Sequence, residues 1–490
     1  MAVLPSPSNT SAPESQGFEA NLDDLFLRFA VGPGRQMNIN TAPLQAQAIQ
    51  TSETPEDFQQ EFGQIFSRTD FAGGSGLDKA HKRNAGPNDF QRYWDSKGID
   101  VFSGKEVGQE YKVSLLHDTD EVQSETETNL YMQELGGSIF FSVGDVLKRI
   151  DSPLDASPSV TSETAPSAGN DITGMAVLGT RLYLVANGAI YVRTGASTYS
   201  THNSHKTFSK IWSMKGRIVA SDTSGDLYEV PDSSNPTTMK TLPTGTEWTD
   251  LADGGAVVLA CATDGYIYSF ADVSSSLTLK GQTFVEGEVP NAIDAAQGLI
   301  FYGTYQNTAS GKIGRLYTAE ITNANSLYVL VNAQLLKQWG DGTTTLNQAP
   351  YRIISTRDSI YTGIVDSASK TNLWRYYLPT GGIARDVEFA ESGIVEGIAV
   401  FSDRIFATVS GGGLYRESTN YVSTGYIITS LADFFTSEKK QWVGAKVNTN
   451  VVTSGSVKLF TSTIAADINN PDAATWAEQV SIFSGTGGDE

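Results

Sequence analysis

The sequence predicts an all-β chain with an irregular N-terminal arm, a β-propeller of about seven blades and a C-terminal β-sandwich-like region. Three observations carry this. An apolar strand, a short polar turn, a second apolar strand and an aromatic-bearing third strand recur seven times between residues 130 and 416. Equivalent second-strand positions are Ile139, Leu182, Ile218, Val257, Leu299, Ile360 and Ile405, in steps of 43, 36, 39, 42, 61 and 45 residues, which is the repeat length of a propeller blade. Residues 1–100 and 423–490 lack that period.

In chain order, residues 1–20 are rich in Ser, Pro, Asn and Thr and read as a disordered or partner-ordered tail. Asp23–Val31 alternates as a short strand does. Thr54 and Pro55 can open a helix that puts Phe58, Phe62, Ile65 and Phe66 on one face, which Gly63 weakens. A glycine-rich turn at Asp70–Leu77 precedes the aromatic stretch Phe90–Asp95. So irregular a segment recovers little of the roughly 1–2 kcal/mol per residue that backbone ordering costs. Residues 1–100 are therefore expected to be an extended docking arm, with Phe58, Phe62, Phe66, Phe71, Phe90, Tyr93 and Trp94 as anchors in partner pockets.

The propeller is assigned to residues 101–422. Blade 3, for example, reads Lys210–Ser213, Arg217–Ala220 and Asp226–Glu229, with a less regular fourth strand at Thr237–Leu242. The 61-residue step holds an insertion between Ile321 and Ala349, and ring closure is expected to join Ser103–Leu116 to the last unit, Gly397–Arg416. Beyond it, Gly425–Thr429, Gln441–Val447, Ser456–Thr461 and Trp476–Phe483 read as strands of a C-terminal domain at 423–490, incomplete as a sandwich.

Charge and motif narrow the chemistry. With 34 basic and 55 acidic side chains the net charge is −21, and the acidic excess holds in all three regions (8 against 13 in 1–100, 22 against 35 in 101–420, 4 against 7 in 421–490). Phosphate tracking requires a basic face, so nucleic acid is excluded as a partner; no apolar run reaches the length of a membrane span, so no membrane insertion is expected. Cys261, the single cysteine, lies in an apolar run and reads as an inert core thiol. Asp222–Asp226 and Thr263–Gly265 place carboxylates before the third strand of neighbouring blades, where turn geometry explains them. Leu116–Glu121 and the His202/His205 pair lack the spacing of a metal site. No Walker loop, dinucleotide fingerprint or nucleophile elbow occurs. The expectation is a non-enzyme with no catalytic residue, cofactor or metal.

Phe66–Gly74, Arg92–Val101, Gly425–Ser430 and Lys440–Trp442 together resemble the pattern of minor tail proteins of long-tailed bacteriophages. The resemblance implies a structural virion component at the distal tail, present in multiple copies, docked to hub, tube or baseplate subunits and able to contribute to host attachment through a surface receptor or glycan. The alternative is a tail-associated propeller hydrolase or lyase acting on host surface polysaccharide, which needs two carboxylates facing each other across a cleft.

Overall fold

Each repeat alternates apolar side chains on both faces of a small sheet, so no single repeat can cover its own surface, and burial requires a neighbour on either side. The computed structural model describes residues 71–76, 92–103, 112–273, 276–340, 345–367 and 370–429, with strands Leu4–Pro5, Phe18–Leu22, Leu25–Phe29, Ser456–Thr461 and Ala477–Ser484 besides. The repeats form seven four-stranded antiparallel sheets. Blades 1 to 6 span 132–163, 172–203, 208–241, 248–284, 289–339 and 353–389. Blade 7 takes Val395–Phe401, Arg404–Val409 and Gly413–Tyr421 from the end of the repeat region and its fourth strand, His117–Ser124, from before blade 1. First strands of successive blades pack on one another all the way round, so the ring is closed. No helix occurs among the described residues.

The core lies between blades. Trp212, Val219 and Leu227 of blade 3 pack against Trp248, Leu251, Val258 and Phe270 of blade 4, and equivalent clusters follow around the ring. Cys261 is buried in one of them, as expected for a core thiol, and burial lifts its thiol well above the ordinary range. Hairpin turns between first and second strands use positive φ, as at Lys215–Gly216 (50° and 72°), which matches the twist of the flanking strands. Blade 5 absorbs the long step by extending its outer hairpin, Lys312–Ala324 with Leu327–Trp339. That hairpin leans on blade 4, where the Leu330 amide donates to Thr283 Oγ1 (2.8 Å). A Cβ at Gly281 would come within 2.0 Å of the Tyr328 carbonyl oxygen, so the approach needs glycine.

Closure differs from the expected register. Lys112–Leu115 folds back on Ile99–Ser103, and the closing ladder begins only at His117, pairing Tyr415 with Glu121 and Arg416 with Asp120. Arg416, 4% exposed, crosses the seam: its guanidinium meets Asp120 at 3.3 Å and donates to the carbonyls of Pro153 (3.0 Å), Ala156 (2.9 Å) and Asp155 in blade 1. The domain boundaries differ too. Described residues 71–76, 92–103 and 423–427 belong to the same compact unit as the propeller, and the second unit holds the N-terminal strands and those at 456–461 and 477–484. Within that second unit, Leu25–Phe29 is the strand expected within Asp23–Val31; it pairs with Phe18–Leu22, which also pairs with Leu4–Pro5, where residues 1–20 were expected to be a tail, and Ser456–Thr461 pairs with Ala477–Ser484. The helix at 54–66 and the strand at 441–447 lie outside the described residues.

Closure by a strand from the other end of the chain makes the seam a stability determinant. A chain beginning at residue 125 should show no cooperative thermal transition, whereas one beginning at residue 70 should. Arg416→Ala, which strips the seam carbonyls of their donor, should cost about 2–4 kcal/mol in denaturant titration.

Candidate functional site

Two groups of polar residues stand out from the apolar sheets: one around the axis, one on the outer edge of blades 5 and 6. The axial group arises from a repeated irregularity. In blades 2, 3, 4, 5 and 7 the first strand carries a bulge at the same place, leaving Thr173, Ser209, Thr249, Asn291 and Glu396 as the extra residue. A bulge bends the strand and re-aims its side chains; Thr249 and Asn291 reach toward the next blade, while Ser209 Oγ donates to Ser221 O within its own blade (3.1 Å). Thr249 Oγ1 donates to Pro290 O (3.1 Å), Asn291 Nδ2 to Pro350 O (2.8 Å), and Lys210 Nζ, one residue past its bulge, to Trp248 O (2.8 Å).

Asp250 is the hub of this group. It is 3% exposed. Its Oδ1 accepts from Trp212 Nε1 of blade 3 (3.2 Å), from the Leu251 amide of blade 4 (3.0 Å) and from Arg352 Nη1 just before blade 6 (3.2 Å), while Oδ2 accepts from the Ile293 amide of blade 5 (3.2 Å). One carboxylate thus ties blades 3, 4 and 5 to the segment that leads into blade 6. Burial raises its pKa, and Arg352 and the two amides oppose that. Around it, burial pushes Lys210 down, against Glu247, Asp250 and Glu396. Burial likewise pushes Glu396 up to about 7, against Arg352 and Lys210, and Tyr131 up to about 12.

The second group lies where residues 71–76 and 92–103 cover the last strand of blade 6, Gly382–Phe389. Tyr93 is fully buried and Phe71 meets its ring edge-on at 6.1 Å. Ile99, Val101 and Phe102 close a small core with Ala72 and Ala384. Three cations of the propeller anchor the strap, and Lys97 of the strap pairs with Glu388 (3.4 Å). Arg375 pairs with Asp100 and, at 3.6 Å, with Asp386; Arg385 pairs with Asp95 (3.4 Å) and Asp366 (3.5 Å); Lys337, 8% exposed, sits over the rings of Trp94 (5.8 Å) and Trp374 (5.2 Å). Burial drives Lys337 down to about 8 and Asp366 up to about 6.

Of the seven residues expected to dock a partner, Phe71, Tyr93 and Trp94 are therefore spent on the chain's own propeller, because the outer edge of blade 6 offers an unpaired strand close by. Phe58, Phe62, Phe66 and Phe90 lie outside the described residues. The turn aspartates do what turn chemistry implies: Asp222 Oδ1 accepts from the amides of Ser224 and Asp226 (both 2.9 Å), and the hydroxyls of Tyr228 and Tyr268 donate to Asp222 (2.9 Å) and Asp264 (2.6 Å). His117 stacks on Tyr421 (4.5 Å) in the closing strand, and His202 lies 3.5 Å from Asp232. No cluster of three metal-ligating side chains occurs among the described residues. Asp250, Glu396 and Lys337 were not singled out from sequence. The available signal was a charged residue inside an otherwise apolar strand, as in Trp248-Thr249-Asp250-Leu251.

No protein-family model and no curated protein matches the chain. Solved structures with a similar fold include the β-propeller domain of Myceliophteria thermophila Cps50 (Swd1), at 11% identity over 62% of this chain and all of that one, with a TM-score of 0.44. The WD40 repeats of RRP9 match at 12% identity over 61% of this chain and 96% of that one (TM-score 0.45), and the designed protein Ika8 at 13% over 61% and 98% (0.40).

Removing the hub should be expensive: Asp250→Ala leaves the Arg352 charge, an indole and two amides without their acceptor and should cost about 3–5 kcal/mol by denaturant titration. Glu396 gives a pH signature. Its folded pKa lies above the ordinary one, so its contribution is fully present below about pH 4.5 and lost as pH rises through about 7. The Tm of Glu396→Gln relative to the parent should therefore increase from pH 5 to pH 8.

Proposed function

We propose that the protein is a non-catalytic structural scaffold: a rigid ring presenting loop faces to partner subunits. Its setting is the distal tail of a long-tailed phage, by the resemblance carried by Phe66–Gly74, Arg92–Val101, Gly425–Ser430 and Lys440–Trp442. The observation that carries the scaffold reading is the commitment of Asp250 and Lys210 to groups of neighbouring blades. Both Asp250 oxygens are taken by groups from blades 3, 4 and 5 and by Arg352 before blade 6, and Lys210 is held by a main-chain carbonyl of the next blade. Such a centre serves cohesion. One observation favours the glycan hydrolase or lyase alternative: Glu396, lifted to about 7, has the acidity of a general acid at neutral pH.

Immunogold labelling of intact particles tests the setting, with label expected at the tail tip and absence from virions overturning it. Incubation with host capsule or lipopolysaccharide, followed by a reducing-end assay, tests the chemistry. No turnover is expected, and sustained release abolished by Glu396→Gln would put the enzyme first.

A further inference from the structure

Residues 71–76, Phe-Ala-Gly-Gly-Ser-Gly, lie on the outer edge of blade 6 as a separate peptide lies in a groove. The edge strand supplies main-chain pairing: Gly74 bridges Ile383 in parallel and the Ser75 amide donates to Ile383 O (2.6 Å). On its other side the peptide pairs with the strap, the Gly76 amide donating to Tyr93 O (2.7 Å) and the Tyr93 amide to Gly74 O (3.1 Å). Strand addition of this kind gives affinity through the backbone and leaves selectivity to what the flanking pockets accept.

The groove is selective at Gly74 and Ser75 and holds the main chain at Ala72 and Gly76. A Cβ on Gly74 would fall 2.3 Å from Ile383 O, and one on Gly382 would fall 2.2 Å from Ala72 O, so strand and peptide both need glycine for this approach. Ser75, 1% exposed, accepts from Lys337 Nζ (2.6 Å) and donates to Trp94 O (2.8 Å). Lys337 also donates to Gly76 O (2.9 Å), and Thr380 Oγ1 to Ala72 O (2.8 Å). A buried ammonium whose donated bonds end on the peptide is costly to maintain without it. The walls belong to the propeller unit in their own right, through Arg375–Asp100, Arg385–Asp95 and the core at Ile99, Val101 and Phe102.

Fifteen residues separate Gly76 from Arg92, a length that spans about 50 Å when extended, so the covalent connection does not dictate which molecule's groove the peptide enters. We infer that this edge is a recognition site for an extended aromatic-small-Gly-Gly-Ser-Gly peptide, filled here by the chain's own residues 71–76 and able to take the same segment from a second copy. Mutual exchange of that kind is a domain swap, which closes a dimer. It holds whether or not the scaffold belongs to a phage.

The test uses the full chain with its own segment dislodged. Gly74→Val drives a side chain into the Ile383 backbone, and Ala72→Glu, at a fully buried position, dislodges it independently. A fluorescent synthetic peptide of residues 69–78 is titrated by anisotropy. It should bind either variant at least tenfold more tightly than the parent, whose groove is filled. Adding Lys337→Met, or placing Ser75→Val in the peptide, should weaken binding at least tenfold. Failure of the peptide to bind both variants overturns the inference, as does binding that Lys337→Met leaves unchanged.

Discussion

The structure depends on closing the ring. Each four-stranded sheet has two apolar faces, and seven sheets satisfy all of them only if the first also meets the last. The chain achieves this by sending His117–Ser124 to pair with Gly413–Tyr421, an antiparallel ladder whose register shifts after Leu414 and after Glu417, so the third strand of blade 7 is not left as an open sheet edge. Arg416 adds a second lock, joining blade 7 to carbonyls of blade 1.

Inside the ring, polarity is used for cohesion. A bulge repeated in five first strands presents a polar residue close to the axis, and two of these side chains, Thr249 and Asn291, bond toward the following blade. Asp250 concentrates the effect, because one buried carboxylate accepts from blades 3, 4 and 5 and from Arg352 before blade 6. A buried charge is tolerable only when its lone pairs are filled, and that requirement fixes the relative positions of the groups that fill them. Glu163 does the same between blades 1 and 2: burial alone would raise its pKa, but Arg193 and the Ser197 amide hold it below the ordinary carboxylate range.

Outside the ring, the outer strand of blade 6 is covered by residues 71–76 and 92–103. The aromatic content of that stretch was legible as a set of anchors seeking pockets, and Tyr93 and Phe71 are indeed anchors. Their pocket, however, lies within the same chain. Sequence reading assigned them outward because a segment without period shows which side chains want burial and not where the burying surface is.

The sequence by itself determined the all-β character, the blade count near seven, the positions of the second strands and the turn role of Asp222 and Asp264. These follow from local periodicity and from the φ that a tight hairpin demands, both written in adjacent residues. Only the tertiary structure decided the closing register, the hub at Asp250 and the seat of Lys337 against Ser75. The physical reason is distance along the chain. Arg416 meets a partner 296 residues away and Lys337 one 262 away, and no local pattern encodes which buried charges will meet once seven sheets have closed around one axis.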